Sequence, residues 1–103
     1  MADDWTFLTN HAHVLVAIAR DPEARLRDIA AQVGITERTA QGIVRDLFEH
    51  GYLVRERVGR RNRYQLDDTL PMRHPLEAEH SVRVLLAPLR RATPTRSWKA
   101  ASS

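Results

Sequence analysis

Arg38, Thr39, Gln41, Gly42 and Arg45 lie close together in the chain. At 100° per residue, Arg38, Gly42, Arg45 and Glu49 share one stripe of a helix, with Thr39 and Gln41 on its flanks. A guanidinium is a planar fork that can grip two acceptors at once, as on the edge of guanine, and the glutamine amide can do the same on adenine. Thr39 can hydrogen-bond a base or a phosphate, or touch a thymine methyl. Gly42 withholds a side chain where one would block close approach, at a cost in helix propensity that a plain solvated face gives no reason to bear. A second group follows, with Arg55, Arg57, Arg60, Arg61, Asn62 and Arg63 opposed only by Glu56. Both groups suit recognition of a polyanion and of planar hydrogen-bonding edges, with no bond-making.

The formal net charge of +3 conceals a sharper distribution. Residues 1–54 hold five arginines against eight acids, and residues 64–82 are also net acidic, with Arg73 against four acids. The basic charge is concentrated at residues 55–63 and again at 83–99, where Arg83, Arg90, Arg91, Arg96 and Lys99 meet no acid. Clustered arginine on a slightly acidic body is the pattern of a protein that meets phosphates.

These residues need elements to hold them. Thr9 or Asn10 can cap a helix over about 9–20, with Leu8, Ala12, Leu15, Ile18 and Ala19 at helical spacing, and Asp21-Pro22 stops it. Trp5 to Leu8 read as a lead-in packed on the body, and Ala24 to Leu26 as a short edge strand. Asp28 opens a helix over 28–33 in which Leu26, Ile29, Ala30 and Val33 repeat at i, i+3, i+4 and i+7, and Gly34 supplies a left-handed stop. Thr36 then caps a longer helix over 37–50 that turns Ala40, Ile43, Val44 and Leu47 inward. Gly51 ends it, with Tyr52 folding back on Leu47.

From Leu53 the period changes to two. Residues 53–66 read as a hairpin with Gly59-Arg60-Arg61-Asn62 as its turn and arginines on the tip and on one face. Pro71 to Pro75 form a linker. Ser81 can cap a helix over about 82–91 carrying Val82, Leu85, Leu86 and Leu89, shortened or kinked by Pro88. Residues 92–103, with Pro94 and a lone Trp98, read as a flexible tail. The fold class is mainly α with a small β-hairpin, a winged helix-turn-helix in a single domain over 1–91.

Composition closes several other routes. With 43% hydrophobic and 28% charged residues in 103, the chain has the makeup of one globular domain with one modest core. No run nears the roughly 20 apolar residues of a membrane span, and Met1-Ala2-Asp3-Asp4 is acidic where a signal peptide is basic, so a cytoplasmic protein with no membrane partner is expected. Zero cysteines exclude disulfides, thiol nucleophiles and cysteine-bound zinc. His11 and His13 lack the i, i+4 spacing of a helical metal pair, and His50, His74 and His80 are scattered; His11 reads as a packed or hydrogen-bonded residue. No nucleophile motif or glycine-rich phosphate cradle is present, so neither catalysis nor a cofactor is expected.

The run Leu26-Arg27-Asp28-Ile29-Ala30-Ala31-Gln32-Val33-Gly34-Ile35-Thr36-Glu37-Arg38-Thr39, followed by Leu47 and Gly51-Tyr52-Leu53-Val54, resembles the winged-helix bacterial transcriptional regulators of the MarR and ArsR type over about residues 6–91. The resemblance implies that helix 37–50 is a recognition helix and 53–66 the wing. The implied function is sequence-specific binding of double-stranded DNA to regulate transcription. Arg38, Thr39, Gln41, Gly42 and Arg45 would meet bases in the major groove. Arg27, Thr36, Arg55, Arg57, Arg60, Arg61, Asn62 and Arg63 would meet the backbone, with the wing on phosphates or in a minor groove. Typical MarR-type proteins carry longer flanking helices that form the dimer and hold an effector; on this shorter chain no small-molecule effector is expected. The apolar residues Val82, Leu85, Leu86 and Leu89 nonetheless suggest a homodimer joined through the C-terminal helix, with the N-terminal helix contributing. A winged helix can also serve as a protein-interaction module or a nonspecific architectural DNA-binding protein; the charge placement favours DNA over a protein partner. Duplex RNA ranks lower because its deep narrow groove excludes a reading helix.

Overall fold

In the computed structural model, which describes residues 5–90, the elements follow the order α1 (Asn10–Arg20), α2 (Leu26–Val33), α3 (Glu37–Glu49), β1 (Leu53–Val58), β2 (Arg61–Leu66) and α4 (Arg83–Leu89). Three helices followed by an antiparallel hairpin make the winged helix-turn-helix that the sequence predicts. The expected tail at 92–103 and the end of the C-terminal helix at Arg91 lie outside the described residues.

Local chemistry sets the helix ends. Thr9 Oγ1 accepts the Ala12 amide at 3.2 Å and Thr36 Oγ1 accepts the Thr39 amide at 3.0 Å, so the first free donors of α1 and α3 are satisfied by side chains. Helix α3 stops in a full Schellman arrangement. Gly51 sits at φ 85° and donates to the Phe48 carbonyl at 3.2 Å, while the Tyr52 amide reaches the Leu47 carbonyl at 2.9 Å. Gly34, at φ 87°, ends α2, and the Ile35 amide returns to the Ala30 carbonyl at 3.0 Å.

One apolar core joins these pieces. Val14 and Ile18 of α1, Ile29 of α2, Leu53 at the root of β1 and Leu86 of α4 are fully enclosed, and Ala40, Ile43, Val44 and Leu47 bury one stripe of α3 against them. The expected inward stripe of α3 is therefore found residue for residue. Arg20 Nε donates to the Leu89 carbonyl at 2.9 Å, and Asp68 lies 3.5 Å from Arg83 and 3.7 Å from Arg90, so polar contacts hold both ends of α4.

His11 donates from Nε2 to Asp46 Oδ2 at 2.9 Å, tying α1 to α3. That hydrogen bond holds the Asp46 carboxyl below the usual carboxylate range. A depressed carboxyl favours the fold at pH values above its unfolded pKa and loses that effect as acid carries the pH down through the folded value. Both side chains are about half exposed, so the tie is a small one.

The hairpin register pairs Leu53 with Leu66 at the root and Val58 with Arg61 at the tip, leaving Gly59-Arg60 as a two-residue loop. Gly59 at φ 65° takes the first loop position, as a type II′ turn requires, so the turn is shorter than the four residues expected. Alternation along this register corrects a second expectation. Arg55, Arg57 and Asn62 share the face of Leu53, Tyr64 and Leu66, whereas Arg61 and Arg63 share the opposite face with Val54, Glu56 and Val58. The wing arginines thus divide between two faces, because the register pairs odd-numbered positions of β1 with even-numbered positions of β2, which puts Arg55 and Arg57 on one side and Arg61 and Arg63 on the other.

Other expectations are revised. Ala24 to Leu26 form no strand, since the sheet among the described residues pairs β1 with β2; Ala24 is buried and Leu26 begins α2, two residues before Asp28, which falls in the first turn. Trp5 and Phe7 are 72% and 91% exposed and meet each other edge to face, so only Leu8 of the lead-in is half-buried. Ser81 makes no side-chain cap, because the residue before α4 is Val82 and Ser81 is bridged to Pro71 instead. The segment expected as a linker starts a bonded excursion, with the Met72 amide on the His80 carbonyl at 3.0 Å and Met72 packed on the core. Val82 and Leu86 are 4% and 1% exposed inside the chain's own core, which removes them from the set open to a second copy and leaves Leu85 and Leu89, with Val84 exposed beside them.

Emptying the centre of this core has a calculable effect. Ile18→Ala is expected to lower the unfolding free energy by about 3 kcal/mol in urea titrations, whereas Val84→Ala, on the exposed side of α4, changes it by less than about 0.5 kcal/mol.

Candidate nucleic-acid interface

With its apolar stripe buried, α3 turns its opposite stripe outward, where the wing and the α1–α2 turn close around it. The result is an open groove of about 890 Å³. From α3 it is lined by Arg38, Gln41, Gly42 and Arg45, and from the wing by Arg55, Arg60, Arg61 and Asn62. Residues far apart in sequence share one surface because the Schellman turn at Gly51 reverses the chain and Leu53 anchors the wing root in the core.

The α1–α2 turn sets the groove's third wall. The Tyr64 amide donates to the Pro22 carbonyl at 2.9 Å, so strand β2 is bonded to that turn by backbone. Arg25 and Glu23 thereby enter the groove, and Arg61 lies 3.6 Å from Glu23. Neither residue carries a sequence signal for this surface, because nothing local to the Pro22 turn shows that it packs against the wing. Sequence reasoning also passed over Phe48, which lines the groove at 43% exposure with the Arg55 guanidinium 5.2 Å above its ring centre. A cation over an aromatic face is held there and loses less freedom on meeting a ligand. The signal for Phe48 was present, since Gln41, Arg45 and Phe48 repeat at i, i+4 and i+7.

Not every expected residue joins this surface. Arg27, Thr36, Thr39, Arg57 and Arg63 are exposed but stand outside the groove lining. Thr39 is engaged in the cap, receiving a hydrogen bond from the Thr36 hydroxyl at 2.9 Å. Gly42 faces open space, with no heavy atom beyond its chain neighbours and its own helix backbone within 4 Å of where a Cβ would stand, so its missing side chain leaves the floor of the groove clear.

Such a surface can hydrogen-bond acceptor pairs and neutralise several phosphates at once; its donors are guanidinium and amide groups. Comparison with known proteins agrees in kind. Residues 8–57, from α1 through most of β1, match the IclR helix-turn-helix domain. The chain carries a helix-turn-helix domain on a winged-helix fold. Its structure is similar to that of the PcaV transcriptional regulator from Streptomyces coelicolor, solved in complex with its natural ligand. The TM-score is 0.52 at 23% identity, over 92% of this chain and 70% of PcaV, a likeness of fold. No curated protein matches the sequence. Among the described residues no helix is long and apolar enough to cross a membrane.

Gly42 gives a direct check on the open floor. Because nothing stands in the way of a methyl group, Gly42→Ala is expected to raise the unfolding free energy by about 0.5–1 kcal/mol through helix propensity alone. A loss of stability in the same urea titration would show that the floor is closed.

Proposed function

We propose that this chain is a sequence-specific double-stranded DNA-binding transcriptional regulator acting in the cytoplasm, with α3 in the major groove and the wing along the adjoining backbone. The helix-turn-helix match and the winged-helix fold support a DNA-binding regulator. The observation that carries the finer reading is the single groove shared by Arg38, Gln41 and Arg45 of α3 and by Arg55, Arg60 and Arg61 of the wing. Arg38, Gln41 and Arg45 read base edges, Gly42 lets the helix approach, and Thr39 contributes from the first turn. The wing arginines, with Arg25 and Arg27, hold phosphates and fix the register. Within winged-helix regulators, the resemblance carried by the motif from Leu26 to Thr39 supports the MarR and ArsR types, although the matched domain is of the IclR type.

The same reading makes the working unit a homodimer. Trp5 and Phe7 stand 72% and 91% exposed and Val84 51%, more apolar surface than a monomer gains from leaving in water. A two-fold pair would set two α3 helices into successive major grooves, one helical turn apart on a roughly palindromic site.

Selection from random duplexes is expected to enrich one site. On that site Arg45→Ala relaxes preference at one or two base pairs, and removing a bidentate pair reduces discrimination by about 1–3 kcal/mol. Replacing Arg60 and Arg61 with glutamine instead weakens all duplexes alike and flattens the salt dependence by about 0.9 in log–log slope for each phosphate no longer neutralised. Unchanged preference in the Arg45 variant overturns the assignment of α3. Sedimentation equilibrium at micromolar concentration should give twice the chain mass of 11.8 kDa, and a monomer mass overturns the dimer.

A further inference from the structure

The groove contains one residue of the wrong sign for its proposed ligand. Arg25, Arg38, Arg45, Arg55, Arg60 and Arg61 line it, and Glu23 is the acid among them. Chance placement on a mobile loop does not describe Glu23. Its amide is bonded to Asp21 Oδ1 at 3.1 Å, the Ala24 amide to the Asp21 carbonyl at 3.0 Å, and the adjacent Pro22 carbonyl receives the Tyr64 amide of β2. Three hydrogen bonds from backbone amides therefore aim the turn at the wing, where Glu23 Oε1 meets Arg61 at 3.6 Å.

Nothing in the fold needs the Glu23 carboxylate. Its side chain is 46% exposed, and the turn is held by its backbone amide and by Asp21. We propose that Glu23 is an affinity-setting residue that competes with phosphate for Arg61, so that the free protein keeps one groove cation partly neutralised. The inference rests on reading the groove as a DNA interface. When a duplex enters, Arg61 must exchange Glu23 for a phosphate, and the released carboxylate is left facing a polyanion. Both effects oppose binding. Because every duplex presents phosphate, the penalty falls on matched and unmatched sequences alike: it shortens residence on DNA in general and leaves the ratio between sequences unchanged.

The full chain and a two-residue cycle test this. In gel-shift or fluorescence titrations at low salt, Glu23→Gln is expected to tighten binding to the selected duplex and to a scrambled one by a similar factor, on the order of threefold, as befits an exposed pair. That gain should shrink as salt rises toward physiological strength. Glu79→Gln removes the same charge from an exposed site outside the groove and should gain less. In an Arg61→Gln background the effect of Glu23→Gln should disappear. Binding that is unchanged or weakened by Glu23→Gln, a gain no larger than that of Glu79→Gln, or a gain that persists without Arg61 would each overturn the proposal. The wild-type titration keeps the two readings apart: a wild-type chain that retards no duplex overturns the DNA interface itself and this inference with it.

Discussion

Burial of Ala40, Ile43, Val44 and Leu47 fixes the rotation of α3, and the helix face that forms the floor of the candidate interface follows from that one constraint. Each of the four is less than a tenth exposed, and a helix cannot turn about its axis without drawing them into water. Once they are inside, the opposite stripe is outside. Arg38, Gln41, Gly42 and Arg45 are presented as a consequence of packing, so their direction is as rigid as the core beneath them. Precision at the surface here is inherited from hydrophobic contact.

The wing is positioned by a different kind of force. Its root is apolar, with Leu53 enclosed and Tyr64 and Leu66 packed beside it, but its distal half has no core to rest on, and Val54 and Val58 are about half exposed. Backbone hydrogen bonds replace burial there. The strand register sets the face on which each wing arginine stands, and the bond from Tyr64 to Pro22 fixes the strand against the α1–α2 turn. A hairpin held in this way can yield at its tip while its root stays fixed. On the proposed reading, that combination would suit a basic loop that follows a phosphate backbone of variable width.

The three helices and the hairpin were legible because their signals are local. Helical spacing, threonine caps at Thr9 and Thr36 and glycine stops at Gly34 and Gly51 each rest on a few neighbouring residues, and the structure repeats them with shifts of one or two positions. The misread features depend on contacts between distant segments. Leu26 joins a helix because it packs on the core, and Trp5 and Phe7 stay outside because Leu8 takes the half-buried place of the lead-in. Parity defeated the reading of the wing arginines. An alternating pattern shows that two faces exist, but only the pairing of Val58 with Arg61 tells which arginine lies on which. Half of the candidate surface was visible in sequence for a similar reason. The residues of α3 announce a shared stripe, whereas Glu23 and Arg25 reach it through a turn that no periodicity marks.

The basic surface also places a burden on the fold that carries it. Arginines gathered on one groove repel one another, and such repulsion lowers stability while it attracts polyanions. Two features of the groove relieve it without burying charge: the Phe48 ring beneath Arg55 and the Glu23 carboxylate beside Arg61. They differ in what happens when a phosphate arrives. The ring has no charge to remove and can stay under its arginine in the complex, so it organises the cation at no expense to binding. A carboxylate must give way. On the proposed DNA-binding reading, a chain that used only aromatic supports would hold any duplex more tightly than one that sets a carboxylate beside one of its arginines.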